Sequence, residues 1–410
     1  MSLHLTSLQL DSRSSLMYDA IVVGARCAGS PTAMLLARAG HRVLLLDRAS
    51  FPSDTLSTHV VHQPGVAALA RWGLLDRVRA SGCPPVDRVV YEVADIRITG
   101  GARGLAGQRA WYAPRRHVLD AVLVESAVAA GVEFRGGCTV RNLLRDATGR
   151  VSGVEFRHRG RTHREHAALV IGADGMRSTV ARLCDAPYTV RHPRLTCAYY
   201  TYWDSVGTDM ELYERQGGWV ATVPTHGGAS LVLAYFPQRR FDDIRADSGP
   251  AYAEQIRATA PGLAARLVGK RPLERLRGSG DQRNLFRRPA GPGWALVGDA
   301  AHHKDSITAR GITDAFTQAE TLVRHAGPRL VGSPPGLDRA LRAYERECES
   351  LLAPGYRATL SAARLHLSEQ RLSVLRAVSS DPELTSIYLD VFAGITTAEA
   401  LYVPRLFTRL

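Results

Sequence analysis

Lysine is nearly absent from this chain. Lys270 and Lys304 are the only two in 410 residues, although Lys and Arg together number 52 against 39 Asp and Glu, a formal net charge of +13. The positive charge is therefore almost all guanidinium. The arginines are scattered, with no basic stripe interleaved with aromatics, which argues against a nucleic-acid partner and leaves a positive surface that attracts anionic cofactors and substrates. No apolar run reaches the ~18 residues of a membrane span, so no membrane partner is expected. Met1–Leu16 is polar and Ser-rich with no hydrophobic signal core, and is expected to be a loose extension. The six cysteines (Cys27, Cys83, Cys138, Cys184, Cys197, Cys348) form no CxxC pair and no regular spacing, so neither a metal site nor a disulfide framework is expected, and a cytoplasmic location is the default. Cys27 is expected to be a small packing residue. No internal repeat or low-complexity tract interrupts the chain, and its length suits two or three domains' worth of core.

What is present begins with Tyr18–Arg48, YDAIVVGARCAGSPTAMLLARAGHRVLLLDR. Ala20–Val23 is a strand-length apolar run ending at Gly24. Gly24-Ala25-Arg26-Cys27-Ala28-Gly29 then turns into an Ala/Leu-rich helix that Gly40 stops, and Arg42–Leu46 is a second strand ending at Asp47. This is the spacing of a dinucleotide-binding βαβ unit. Gly24, Ala28 and Gly29 form the turn, the helix N-terminus faces a pyrophosphate, and Asp47, with Arg48 beside it, stands where a ribose is bound. Arg26 occupies the place of the middle glycine. It must point away from the strand–helix packing or reach the phosphates itself. Alone, the unit does not choose between NAD and FAD.

Further along, Phe51–His59 has loop chemistry and Gln63–Ala80 has helical spacing with a break at Gly73. Val86–Ile98 alternates like a strand, and Arg116–Ala130 is an amphipathic helix closed by Gly131. Val132–Val140, Val151–His158 and Arg164–Ile171 are expected strands. From Thr196 to Phe236 the pattern is all β, over Thr196–Trp203, Met210–Glu214, Trp219–Val223 and Leu231–Phe236. Helix returns at Pro250–Val268. Strands at Leu285–Arg288 and Trp294–Val297 precede a helix over about Gly311–His325 and a mostly helical remainder. The expected fold class is α/β: a Rossmann-like cofactor domain with an inserted antiparallel sheet and C-terminal helices. The expected division is 1–16 extension, 17–85, 105–185 and 276–330 cofactor domain, 86–104 and 186–275 sheet domain, and 331–410 helical segment.

Two more segments matter: Val170-Ile171-Gly172-Ala173-Asp174-Gly175 and Ala295-Leu296-Val297-Gly298-Asp299-Ala300-Ala301-His302, each an apolar strand ending in a Gly/Asp turn. In this order and spacing, the three motifs resemble those of the para-hydroxybenzoate-hydroxylase-type FAD monooxygenases, whose wider superfamily includes flavin-dependent halogenases, squalene-type epoxidases and geranylgeranyl reductases. The resemblance spans about Tyr18 to His325. It implies that Gly24–Gly29 holds the ADP half of FAD and that Asp47 binds the adenosine ribose. It further implies that Asp174 and Gly175 belong to the motif linked to FAD and NAD(P)H, that Gly298 and Asp299 meet the ribityl region, and that Arg116 lies near the pyrophosphate, with Arg115 as the alternative. The helix that starts at Gly311 and Ile312 would aim its N-terminus at the flavin N1–C2=O edge. No proline stands between His302 and Gly311, where many relatives have one, and Ser306 is near that place.

His59 in the Phe51–His59 loop, together with Ser306 and Thr308, is a candidate catalytic residue. Candidate substrate contacts are Tyr199, Tyr200, Tyr202, Trp203, Trp219, His226 and Tyr235; alternation puts Tyr199 and Trp203 on one face and Tyr200 and Tyr202 on the other, with the cavity face left open. Gly218–Pro224 occupies the place of the halogenase Gly-Trp-x-Trp-x-Ile-Pro signature with Ala221 for its second Trp, and no lysine precedes Lys270; both count against halogenation. The activity implied is monooxygenation of an aromatic or polycyclic small molecule through a flavin C4a-hydroperoxide, with FAD, O2 and NADPH or NADH. The alternative is a reductase of the geranylgeranyl reductase type, toward which Asp54-Thr55-Leu56-Ser57-Thr58-His59 leans; a non-catalytic flavin- or NAD-binding module is a third reading. A homodimer, a separate flavin reductase and a capping role for Ile387–Leu410 are left open.

Overall fold

The computed structural model describes residues 17–410; the extension expected over 1–16 lies outside them. Five parallel strands form the centre of the first sheet, in the order Trp294–Leu296, Arg161–Gly172, Tyr18–Val23, Val43–Leu46, Glu133–Arg135. Their aliphatic residues alternate between two cores. Ala20, Val22, Val43 and Leu45 pack under the helices Gly29–Arg38, Arg116–Ala129 and Gly311–Ala326. Ile21, Val23, Leu44 and Leu46 pack against the Thr139–Arg145 and Val151–His158 hairpin and Val180. Burial on both faces explains why these strands are continuous apolar runs. Arg161–Gly172 changes partners along its length: up to His166 it pairs antiparallel with Val151–His158, and from Ala167 it joins Tyr18–Val23 in parallel.

The second sheet has seven strands, in the order Arg277–Ser279, Thr196–Asp204, Ala229–Pro237, Gly218–Pro224, Met210–Arg215, Val89–Val93, Ile96–Gly100. Pairing is antiparallel except where Val89–Val93 lies parallel to Met210–Arg215. The alternating stretch expected as one strand over 86–98 is a hairpin, turned at Ala94 by a left-handed φ of 51°. One face of this sheet, with Tyr200, Tyr202, Leu212, Trp219, Leu233 and Tyr235, packs on the C-terminal helices Glu369–Ser379 and Pro382–Ala393. Cys197, Tyr199, Val220, Val232 and Phe236 point the other way and are closed off by Phe241–Ala246, Ser248–Thr259 and Pro261–Leu267. The helix expected over 250–268 is thus broken at Pro261, which cannot continue the hydrogen-bond ladder of the preceding helix.

The C-terminal layer is fastened rather than loosely apposed. Arg371 makes a two-pronged ion pair with Glu214, whose carboxylate is fully buried in the sheet, and also donates to the Tyr91 hydroxyl at 2.8 Å. Among the described residues, no helix is long and apolar enough to cross a membrane.

Candidate active site

At the end of Tyr18–Val23 the chain must pass another backbone at close range. Gly24 has φ +103°, and a Cβ there would sit 2.4 Å from the Ala173 carbonyl oxygen; a Cβ on Gly29 would sit 1.7 Å from the Gly24 carbonyl oxygen. Only glycine fits either place. Gly298 has φ +62°, and its Cβ would lie 2.7 Å from the Ala28 Cβ. Parts of all three motif segments, distant in sequence, therefore meet at one place. The Gly29–Arg38 helix starts there with no side-chain cap, leaving its positive dipole end open to an anion. This cradle of bare backbone and helix end fits an ADP-bearing cofactor. Asp47 accepts the N–H groups of Ala25 and Ala49, both at 2.7 Å, and so ties the end of its strand to the glycine loop. Arg48 is exposed beside it.

Arg26 resolves the irregularity in the fingerprint. Its guanidinium turns to Asp120 Oδ2 (2.6 Å) and to the Ser53 hydroxyl (2.9 Å), and sits over the Phe51 ring at 5.5 Å. Arg116, in the first turn of its helix, reaches the same Asp120 at 3.0 and 3.1 Å. The Cys27 thiol donates to Asp120 as well, and burial pushes that thiol far above its ordinary range, so Cys27 is a neutral packing residue. One fully buried carboxylate thus gathers two arginines beside the glycine loop, and Asp299 lies close enough to influence Arg116. Asp174 is engaged by the segment that follows it. Its carboxylate accepts the Ser178 hydroxyl and the N–H groups of Thr179 (2.7 Å) and Val180 (3.2 Å), so it caps the Thr179–Leu183 helix; Gly175 follows with φ +80°. Arg115 is held apart from this cluster by Asp54 (2.9 Å) and Glu274 (2.7 Å), with its guanidinium 3.9 Å from the centre of the Tyr202 ring.

The Gly311–Ala326 helix begins after the turn Ser306–Thr308, which Ala309 closes with φ 53°. It has no side-chain cap, and space around Gly311 is open. Ile312, next along it, is buried. In its first turn Asp314 forms a buried ion pair with Lys304, one of the two lysines. Between this turn and the second sheet lies a small chamber, partly open to solvent, with Val60, Leu212, Val223, Leu233, Ile307 and Phe392 among its apolar walls. Thr58, His62, Tyr235 and Thr308 supply its polar side chains, and Ala221 leaves room on the sheet side.

Tyr200 and Tyr202 share this face of the sheet, whereas Tyr199 and Trp203 point to the far side and pack under the 241–267 helices. As substrate contacts those two are corrected: alternation sends them away from the chamber, and the helices close the space they face. Trp219 is on the chamber face but its ring rests on Tyr91, centroids 5.7 Å apart. His226 lies in a loop, where Nδ1 accepts the Arg115 N–H at 3.2 Å and Nε2 meets the Ser81 hydroxyl at 2.9 Å; it lies off the chamber. His59 is fully buried with φ 64°. Its Nε2 bonds the Tyr202 hydroxyl at 2.5 Å, and its Nδ1 has no partner among the described residues. Burial, reinforced by Arg116, depresses its pKa to about 3, so the ring is neutral at physiological pH. Ser306 donates to Gln282 and bonds Tyr235 at 3.0 Å.

His62, Asp120 and Phe392 are functional-site residues that sequence reasoning passed over. His62 Nδ1 accepts the Trp111 indole N–H at 3.1 Å, because an indole N–H can only donate. Its Nε2–H is then fixed as donor to the Thr308 carbonyl at 3.2 Å, and its own N–H donates to Thr313 Oγ1 at 3.0 Å. Burial, with Arg310 next, holds its pKa near 3. A lone histidine three residues past the loop motif carries no spacing signal. Asp120 had one: Arg116 and Asp120 stand four apart on a helix, a pairing distance.

Comparison with known proteins bears on the family and the fold. Among curated sequences, the chain is 28% identical over 314 residues to digeranylgeranylglycerophospholipid reductase of Methanosarcina mazei, covering 73% of this chain and 72% of that one. It is 26% identical over 387 residues to 6-methylpretetramide 4-monooxygenase of Streptomyces rimosus, covering 86% and 84%. Among solved structures, the flavin-dependent brominase Bmp2 superposes with a TM-score of 0.81 at 18% identity, over 96% of this chain and 97% of that one, a likeness of fold. The model of the FAD binding domain family matches residues 17–353, and the chain belongs to that family.

Proposed function

We propose that this chain is an FAD-dependent monooxygenase that hydroxylates or epoxidises an aromatic or polycyclic small molecule, using NADPH or NADH and O2. The observation that carries the reading is the chamber. It lies against the N-terminal turn of the Gly311–Ala326 helix, its walls are mainly apolar, and its one histidine is neutral with both ring nitrogens engaged. Among the described residues, no carboxylate, lysine, arginine or cysteine lines it, which fits oxidative chemistry carried by the cofactor. FAD, when bound, would supply hydride acceptance and oxygen activation.

The chain's own part is holding and shielding. Gly24, Ala28 and Gly29 leave room for the pyrophosphate, and Arg26 and Arg116 bring positive charge to it. Asp47 and Asp299 are the acceptors for ribose and ribityl hydroxyls. The N–H groups and dipole end at Gly311 and Ile312 favour negative charge at the flavin carbonyl edge. The sheet and Phe392 exclude water. The His59–Tyr202 pair sets a neutral imidazole against a phenol, and the Nδ1 of His59 has no partner among the described residues.

A reductase acting on alkenes is the second reading, favoured by the 28% identity to the Methanosarcina mazei enzyme. The deciding experiment supplies FAD-loaded protein with NADPH or NADH and a panel of aromatic candidates, with and without O2. Oxygen-dependent product supports monooxygenation; product formed anaerobically overturns it.

A further inference from the structure

The polar groups on the chamber wall can be assigned proton by proton. Thr359 donates its hydroxyl proton to the Gly355 carbonyl at 2.8 Å, so Thr308, 2.7 Å from Thr359, must donate to it. Ser306 donates to Gln282, so Tyr235 donates to Ser306. His62 accepts from Trp111 and donates to Thr308. All three hydroxyl or ring protons are therefore directed into the protein rather than into the chamber. Thr58 differs. It is half-buried, lines the chamber, and its hydroxyl has no hydrogen bond among the described residues. Among the described residues, no Asp, Glu, Lys or Arg lines the chamber.

From this we infer that the chamber selects an uncharged ring system bearing one hydroxyl or carbonyl group, which pairs with Thr58, and rejects ring systems that carry a carboxylate or phosphate there. The inference rests on the chamber being the substrate site, as proposed above. A carboxylate placed against these walls loses its water without gaining a cation or a free donor beyond Thr58, which costs several kcal/mol. A single neutral hydroxyl or carbonyl gains the one unused partner. Ala221 makes the room: it faces Leu212 and Leu233 across neighbouring strands, and a larger side chain there would enter the chamber.

The test titrates FAD-loaded protein, without reductant, with three probes: naphthalene, 2-naphthol and 3-hydroxy-2-naphthoate. Binding is read as perturbation of the flavin absorbance, so it reports on the chamber whether or not oxygen transfer occurs. 2-Naphthol is expected to bind about 100-fold more tightly than the carboxylate. Thr58→Val is expected to weaken 2-naphthol about 5-fold and leave naphthalene unchanged, while Thr58→Ser retains the wild-type order. Ala221→Trp is expected to abolish binding of all three with flavin still bound. The inference is overturned if the carboxylate binds as tightly as 2-naphthol. It is equally overturned if Thr58→Val affects naphthalene and 2-naphthol alike, or if none of the three probes perturbs the flavin.

Discussion

The parallel sheet and the seven-stranded sheet are both built from deeply buried strands, yet they present function through different parts of the chain. In the parallel sheet the site is mostly backbone: Gly24 and Gly29 let main chain approach main chain, and an uncapped helix end faces the gap. In the seven-stranded sheet the site is one set of alternating side chains, and the opposite set is equally apolar and buried. A backbone site tolerates no added atom. A side-chain wall changes its shape with each substitution and still stands. The sharpest way to break the comparison is to add atoms to each. Gly29→Val is expected to yield protein without flavin, with FAD affinity reduced more than about 100-fold, because the new Cβ collides with the Gly24 carbonyl. Ala221→Val, which adds two methyl groups at a buried strand position, is expected to leave flavin bound and alter only ligand binding. Flavin absorbance of the two purified variants decides it; equal flavin content would erase the contrast.

Asp120→Ala probes a place where the backbone site depends on a buried charge. With Asp120 gone, Arg26 and Arg116 face each other without a counter-ion, and loss of about 3 kcal/mol of unfolding free energy is expected. Added FAD should recover part of it, since a bound pyrophosphate supplies the missing negative charge and stabilises by mass action. Denaturant melts with and without FAD measure both. An unchanged midpoint would mean that Asp120 does not organise the pair.

The same contrast explains what could be read from the sequence. The glycine loop, the strand ends at Gly172 and Gly298 and the Gly311–Ala326 helix were legible because steric necessity writes glycine at fixed spacings. The strands Thr196–Asp204 and Ala229–Pro237 were legible from composition, within a residue or two. Which face of them mattered was not, because Tyr199 and Tyr200 are equally aromatic and each is 6% exposed; the choice is made by the 241–267 helices that close one side and by the C-terminal helices and the turn at Ile307 that meet the other. That Asp174 caps the Thr179–Leu183 helix was not legible, because a capping carboxylate and a ligand carboxylate share one local sequence. His62 was illegible since its partners, Trp111, Thr308 and Thr313, are brought to it only by the fold.

His62 gives a pH-dependent version of the comparison. Its pKa is lowered by burial to about 3, against about 6.5 in the unfolded chain. Its contribution to stability is therefore fully present above pH 6.5 and is lost as pH falls toward 3, because the unfolded state takes up the proton first. His62→Gln lacks this titration. The variant is expected to be less stable than wild type at pH 7.5, and the gap should shrink by about 2 kcal/mol by pH 5. His59 has a similar depressed pKa in both proteins and cancels in the difference. Chemical melts at the two pH values test it; a gap constant with pH would remove His62 as the buried neutral clamp.

The smallest effect separates the two halves of the glycine loop's design. Arg26→Gly restores a glycine where a pyrophosphate usually needs close backbone approach, and at the same time removes one of the two arginines on Asp120. Arg116, the helix end, Gly24 and Gly29 all remain. The two changes oppose each other, so FAD should stay bound with affinity reduced about 10-fold, or about 1.4 kcal/mol. The side chain is 27% exposed, and screening by solvent keeps its electrostatic contribution modest. Fluorescence titration of flavin-stripped protein with FAD reads the value directly. Complete loss of binding would make Arg26 the principal anchor and move the site from backbone to side chain. Unchanged binding would leave its bonds to Ser53 as its whole role: fixing the loop that leads to Thr58 and His59.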